Sequence, residues 1–127
     1  TNDTTEHPME KVNLAQKFEL FDEHWSPKIV AELNGQHVKL AKLKGEFVWH
    51  RHETADELFL VLEGTLVMQL EDGEERLGPG ELIVIPRGVR HCPRSDGGCA
   101  VLLFEPAGTL NTGDVRDERT VEAPERI

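Results

Sequence analysis

The chain of 127 residues has room for one domain with a single hydrophobic core. Its formal charge of −10 argues against a nucleic-acid or membrane partner, because nucleic acids and anionic membranes both attract cationic surfaces. The two cysteines form neither a disulfide framework nor a C-x-x-C metal motif, and no apolar run could span a membrane, so we expect a cytoplasmic protein.

The N-terminal region is predicted to contain a flexible arm and one helix. Residues 1–11 are mostly polar and are assigned to the arm. The segment NLAQKFELF, residues 13–21, is predicted to be helical because its apolar residues form one stripe. The residues of that stripe are Leu14, Phe18 and Phe21. Asn13, followed three residues later by Gln16, fits a capping box at the start of the helix.

The rest of the chain is predicted to form short strands separated by turns. The predicted strands are 28–33, 37–43, 46–52, 57–64, 65–71, 81–86 and 100–106. Asn34-Gly35 is typical of a two-residue hairpin turn. Seven strands with no helix between them favour an antiparallel barrel or sandwich. We assign the domain to residues 12–114, and residues 115–127 to a polar tail that is either solvated or packed as an arm.

Strand alternation predicts a large apolar outer face. If His50 and His52 share the inner face of their strand, its other residues point outward, and three leucines of the next strand do the same. The outward set is Phe47, Trp49, Arg51, Leu58, Leu60 and Leu62. Such a face needs a cover. We expect a homodimer to supply part of it, and the N-terminal helix or a second sheet are the alternatives.

His50 and His52 have the spacing of a metal chelate. Residues two apart on a strand lie on one face about 6.5–7 Å apart. Their imidazoles can therefore converge on one ion at roughly 2.0–2.1 Å from each nitrogen. Glu57 follows after a short polar run and can lie opposite the pair on the next strand. A lone histidine pair is also consistent with ordinary solvated or buried side chains.

A second motif strengthens the interpretation of the first as part of a metal site. The first motif has H-x-H, four residues, glutamate, six residues and glycine; the second has glycine, five residues, P-x-G, two residues and histidine. The matching residues are His50, His52, Glu57 and Gly64, then Gly80, Pro86, Gly88 and His91. With both motifs the sequence resembles the cupin superfamily, in particular its small bacterial single-domain members. Gly45 departs because four rather than five residues separate it from His50, and Ser95 stands where an asparagine often closes the second motif.

The resemblance implies an all-β fold, an antiparallel double-stranded β-helix or jelly-roll barrel with a short N-terminal helix. It also implies one divalent transition metal per chain. The metal ligands would be His50, His52, Glu57 and His91. Three imidazoles and a carboxylate disfavour Ca and Mg, and we favour Mn or Fe, with Zn and Ni as alternatives.

Proteins that resemble this one include isomerases, epimerases, dioxygenases, decarboxylases and binding proteins. We expect an enzyme that acts on a small oxygen-rich metabolite, of the isomerase, epimerase or dioxygenase type. The alternative is a non-catalytic, metal-dependent module for binding or sensing a small molecule. No catalytic residue beyond the metal ligands is identified, and Arg87 and Arg90 are either a clamp for an anionic substrate or solvated loop charges.

Overall fold

The structure, a computed structural model, describes residues 9–127, so the first eight residues of the predicted arm lie outside the described residues. It contains one short helix and seven strands. These are α1 (Leu14–Phe18), β1 (Lys28–Leu33), β2 (Gln36–Glu46), β3 (Glu57–Gly64), β4 (Leu66–Leu70), β5 (Gly73–Leu77), β6 (Leu82–Ile85) and β7 (His91–Pro106). In the described part of the chain, no helix has the length and apolar character needed to cross a membrane.

The helix begins as predicted and ends early. Asn13 caps α1, because its side chain accepts a hydrogen bond from the backbone N–H of Gln16 at 3.0 Å. The helix then ends at Phe18, although the apolar stripe continues to Phe21. A helix this short depends on packing rather than on its own propensity. Phe21 instead packs onto the sheet, with the Lys42 ammonium 5.0 Å from its ring centroid.

The strands form the antiparallel barrel that was predicted. Their order is β1-β2-β7-β3-β6, and β4 pairs with both β5 and β7. The 16-residue β7 joins the two halves of the fold, because its first residues pair with β4 and its later residues pair with β3. Strand β2 pairs with β7 along most of its length. This arrangement brings the start of β7 and the start of β3 to the same region of the barrel.

Two strand predictions were wrong. The predicted strand 46–52 does not form: β2 ends at Glu46, and His50 makes only an isolated bridge to His91. The register with β7 shifts beside Gly45, which has a φ of 85°. Conversely β5 was not predicted, because it is a mostly charged and exposed strand in which only Leu77 is buried.

The core lies on the inner face of the sheet. In β3 the burial alternates as predicted, with Phe59 buried inside the barrel and Leu58 half-buried on the outer face. Phe47, however, was predicted to point outward and is buried. Its ring stacks on Trp25 at 4.5 Å and meets the edge of the His50 ring at 5.5 Å. The prediction failed because strand parity does not apply to a segment that is not a strand.

The C-terminal tail packs against the barrel, which favours the packed-arm alternative. The Ile29 N–H donates to the carbonyl of Glu125 at 2.8 Å, and the Ile127 N–H donates to the carbonyl of Ile29 at 3.0 Å. Arg119 donates to the carbonyl of Glu46 at 3.0 Å, and its guanidinium lies 5.2 Å from the ring centroid of Phe47.

Candidate metal centre

The barrel brings together the four residues that the two motifs selected. His50 and His52 lie in the loop after β2, Glu57 begins β3, and His91 begins β7. All four are buried, and one potential ligand atom from each lies within 4.8 Å of the others. Backbone hydrogen bonds tie the two motifs together, because the N–H groups of His50 and His91 each donate to the other residue's carbonyl, at 3.0 and 2.9 Å.

The second motif also supports the first through its P-x-G turn. The Val89 N–H donates to the carbonyl of Pro86 at 3.2 Å and closes the turn. Gly88 has a φ of 82°, a conformation that favours glycine, and its N–H donates to the carbonyl of His52 at 2.8 Å. The turn therefore anchors the backbone of a histidine that lies far from it in the sequence.

Two of the imidazoles have their tautomer fixed by the backbone. His50 Nδ1 lies 2.9 Å from the carbonyl oxygen of Val48, and His91 Nδ1 lies 2.9 Å from that of Val89. A carbonyl only accepts hydrogen bonds, so each Nδ1 carries the proton. The Nε2 lone pair of each ring is left free, which is the arrangement seen in metal-binding histidines.

Three buried polar atoms in the cluster have no hydrogen-bond partner among residues 9–127. They are His52 Nε2, His91 Nε2 and Glu57 Oε1. Glu57 Oε1 lies 3.2 Å from His52 Nε2 and 3.5 Å from His91 Nε2. A buried polar atom left without a partner costs roughly 1–3 kcal/mol, so three such atoms in one place require an explanation. One divalent cation would satisfy all three, and the donor set therefore fits a metal.

The protonation states also suit a cation. Burial, reinforced by the nearby His91, lowers the pKa of His50 to about 4, so this imidazole is neutral at pH 7. Burial acts to raise the pKa of Glu57, but the His52 and His91 imidazoles outweigh it and hold that pKa well below its usual range. A neutral imidazole and an ionised carboxylate are the forms that bind metals.

A small cavity and a wider cleft adjoin the buried cluster. A cavity of about 30 Å³, room for about two water molecules, has His50 and Glu57 in its wall. Its other walls are mainly apolar, from Trp25, Ala41, Leu43, Phe47, Phe59 and Leu103. On the other side, His52 lines a wider polar cleft of about 270 Å³, together with Arg51 and Asp114.

A family model described as a cupin domain matches residues 36–105, more than half of the chain, and the whole cluster lies inside the match. The chain belongs to the cupin domain family. The helix α1, β1 and the C-terminal tail lie outside the matched residues of this cupin.

Three similar proteins agree with this assignment. The Bacillus subtilis (strain 168) protein named uncharacterized protein YdbB is 42% identical over 67 residues, which cover 52% of this cupin and only 59% of that relative. A cupin-2 domain containing protein from Shewanella frigidimarina NCIMB 400 is 46% identical with a TM-score of 0.74, and the match covers 75% of this chain and 93% of that one. A protein from Neisseria meningitidis is 34% identical with a TM-score of 0.71, over 77% and 100% of the two chains.

The sequence interpretation missed a buried ion pair beside the cluster. Lys39 Nζ lies 2.6 Å from Glu105 Oε2, and both side chains are only 2% exposed. Burial and the adjacent Glu57 carboxylate raise the pKa of Glu105, and Lys39 opposes that rise. A signal was present in the sequence, because Glu105 shares the inner face of its strand with Val101 and Leu103, where a charged residue is unusual.

The two arginines of the second motif lie outside the cavity and the cleft, as far as the described residues show. The Arg87 side chain and backbone N–H both bind Asp56, at 3.2 and 2.9 Å. Arg90 lies 3.5 Å from Glu71 and over the ring of Trp49. These contacts favour solvated loop charges over a substrate clamp.

Cys92 follows His91 and is fully buried. Burial, with the nearby Glu46 carboxylate, raises the pKa of its thiol to about 11. The thiol is therefore protonated at pH 7 and is a weak nucleophile.

Proposed function

We propose that this cupin holds one divalent transition metal and uses it on a small oxygen-rich metabolite, as an isomerase, epimerase or dioxygenase. The metal would be held by His50, His52, Glu57 and His91. The observation that carries the proposal is the convergence of three buried, unpartnered donor atoms beside a cavity, as seen in the described part of the chain. Four protein donors leave two positions on a six-coordinate ion, which is typical of reactive rather than structural sites.

We favour Mn or Fe, with Zn and Ni as alternatives. The nitrogen-rich donor set disfavours Ca and Mg. A bound ion would supply Lewis acidity toward a carbonyl or hydroxyl oxygen, or redox chemistry with dioxygen. The chain's own contribution is to orient the imidazoles through Val48 and Val89, and to exclude bulk water with the aromatic rings of Phe47 and Phe59.

A non-catalytic binding or sensing module is the second candidate. The small volume of the cavity favours it, and so does the scarcity of acid–base groups there: among the described lining residues, only Glu105 joins His50 and Glu57 as a titratable side chain. In this case the ligand would bind to the metal and leave unchanged.

Metal analysis followed by a substrate screen tests both candidates. The protein, purified without an affinity tag or chelator, should contain or take up close to one transition-metal ion per chain by mass spectrometry. His50→Ala should lose most of this uptake. His24→Ala, which removes an exposed histidine outside the cluster, should keep it. Absence of uptake by the wild-type protein would overturn the proposal.

The screen should offer sugars, diketones and 2-oxo acids to the metal-loaded protein, with and without oxygen. Turnover that His50→Ala abolishes supports the enzyme. Saturable binding with the ligand recovered unchanged supports the binding module.

We also propose that a second copy of the chain covers part of the outer face of the sheet. Strand β6 is an edge strand in which Leu82 is 56% exposed and Val84 is 49% exposed. They pair with Leu60 and Leu58, which makes a continuous apolar surface. The helix covers only the far end of this face, where Phe18 lies beside Leu62.

Sedimentation velocity at micromolar concentration should therefore show a dimer. Val84→Lys should shift it to a monomer, because a charge would be placed in the apolar contact. A wild-type protein that sediments as a monomer ends the dimer proposal.

A further inference from the structure

The segment that carries His50 and His52 has no neighbouring strand to fix its spacing. Residues 47–56 lie between β2 and β3 and form no strand, and their one β-bridge to the described part of the chain joins His50 to His91. In a strand, regular pairing fixes the positions of side chains two residues apart. In this segment, which we call the histidine loop, the positions of the two imidazoles depend instead on the groups that bind the loop backbone.

The C-terminal tail supplies the anchor at the centre of the histidine loop. His50 and His52 are both bound through their backbones by the second motif, but Arg51 between them is not. The Arg51 N–H donates to Asp114 Oδ1 at 2.9 Å, and the Arg51 carbonyl accepts from the Asp114 N–H at 3.0 Å. Asp114 therefore takes the place of the residue that a paired strand would supply.

The tail lies so close to the histidine loop that it has a glycine at the point of contact. A Cβ at Gly113 would lie 2.3 Å from the Arg51 carbonyl oxygen and 2.9 Å from His50 Cδ2. The buried Thr112 hydroxyl donates to a carbonyl three residues later at 2.6 Å, which closes the turn that presents Asp114. The turn is thus held from within and packs directly on the loop.

The ion pair of Arg51 is a separate and weaker contact. The Arg51 side chain is 43% exposed, and its Nε lies 3.1 Å from Glu53 but 3.7 Å from Asp114. An exposed pair of this kind contributes little to stability. Glu53 holds only the guanidinium, whereas Asp114 holds the main chain between the two histidines. The backbone contact is therefore the one that bears on the cluster.

We propose that Asp114 is a positioning residue of the metal centre, which sets the relative position of the two imidazoles of the histidine loop by binding the backbone of Arg51. This inference rests on the proposed function, because the imidazoles are taken to bind an ion. Without this anchor a metal would have to order the loop as it bound, which lowers its affinity. Asp114 lies beyond residues 36–105, so the centre is completed by a segment outside the family match. An acceptor oxygen is required at this position, and a charge is not.

Titration with Co(II), whose visible absorption responds to the arrangement of its ligands, tests the role of Asp114. Asp114→Ala should weaken Co(II) binding by about three- to tenfold, the equivalent of one lost hydrogen bond. It should also change the absorption spectrum of the bound Co(II), which a loss of stability alone would not do. Asp114→Asn keeps an acceptor oxygen, so it should restore the spectrum and bring the affinity within about twofold of the wild type.

Two variants serve as matched controls. Asp117 lies in the same tail and accepts a hydrogen bond from the Arg119 N–H at 2.8 Å, but it does not bind the histidine loop in the described structure. Glu53→Ala removes the ion pair of Arg51 and leaves its backbone contacts in place. Asp117→Ala and Glu53→Ala should both keep the affinity and the spectrum of the wild-type protein.

The outcomes separate this inference from the proposed function. Co(II) uptake by the wild-type protein is measured first, and a protein that takes up none overturns both. Normal uptake with an unchanged affinity and spectrum in Asp114→Ala overturns the positioning role alone. An Asp114→Asn variant as impaired as Asp114→Ala also overturns it, because the charge is then what matters. An equal loss in Asp117→Ala overturns it as well, because the effect then comes from the tail as a whole.

Discussion

Replacement of Lys39 by methionine should destabilise the metal-free protein far more than loss of an ordinary surface lysine. Lys39 and Glu105 are both 2% exposed and 2.6 Å apart, so the variant leaves a carboxylate buried beside Glu57 without its cation. Breaking a buried pair from one side costs about 3–5 kcal/mol. With a urea m-value of about 2 kcal/mol/M, a loss of about 4 kcal/mol lowers the unfolding midpoint by about 2 M.

The double variant Lys39→Met/Glu105→Leu should recover most of that loss. Replacing both members of a buried pair by apolar side chains of similar volume is close to neutral in stability. Lys28→Met is the control, since Lys28 is also buried but its partners Glu23 and Glu125 are 63% and 66% exposed and return to water. Its cost should be about 1 kcal/mol. A Lys39→Met variant that loses no more stability than Lys28→Met, or a double variant as unstable as Lys39→Met, would contradict this account of the buried pair.

Three further predictions concern the metal cluster and two glycines of the fold. Gly113→Ala should weaken metal binding by about tenfold or more in equilibrium titrations, because the added Cβ would lie 2.9 Å from His50 Cδ2. Gly108→Ala is the control: Gly108 also has a positive φ, but its added Cβ would lie in open space, so metal binding should be unchanged. The metal-free protein should lose about 3 kcal/mol of stability as pH falls from 6.5 to 4, since the folded state keeps His50 neutral while the unfolded chain protonates it. In urea denaturation at several pH values, the free energy of unfolding of a His50→Asn variant should change less over this range. Gly64→Ala should lower the thermal midpoint more than Gly80→Ala, because a Cβ at Gly64 would lie 2.3 Å from the carbonyl oxygen of Gly98, whereas a Cβ at Gly80 would lie in open space. Equal midpoints would contradict this.

The four cluster residues could be predicted because two motifs with fixed internal gaps resemble those of cupins, and the resemblance implies which of their residues bind a metal. Spacing alone predicted only that His50 and His52 could converge on one ion. Hairpin signals and alternating apolar residues were similarly sufficient for most strands, although β7 begins nine residues earlier than expected. Its early part pairs with β4 through residues such as Cys92 and Pro93, whose types give no strand signal.

The remaining features depend on contacts between distant parts of the chain. Phe47 points inward, where Trp25 stacks on its ring, and no local sequence pattern predicts a contact between these two residues. The partnership of Lys39 with Glu105 follows from strands that pair across 66 positions, so it becomes visible only when the register of β2 and β7 is known. The polar wall of the cavity was for this reason harder to predict than the cluster itself.

The backbone carbonyls that hold the His50 and His91 rings have a consequence for engineering. Because Val48 and Val89 act through main-chain oxygens, the orientation of each imidazole does not depend on which side chain occupies those positions. Val89 is 37% exposed and Val48 is half-buried, so both tolerate variation better than core residues do. Libraries that randomise residues 48 and 89 should therefore change the side chains around the metal cluster without changing the orientation of the His50 and His91 imidazoles.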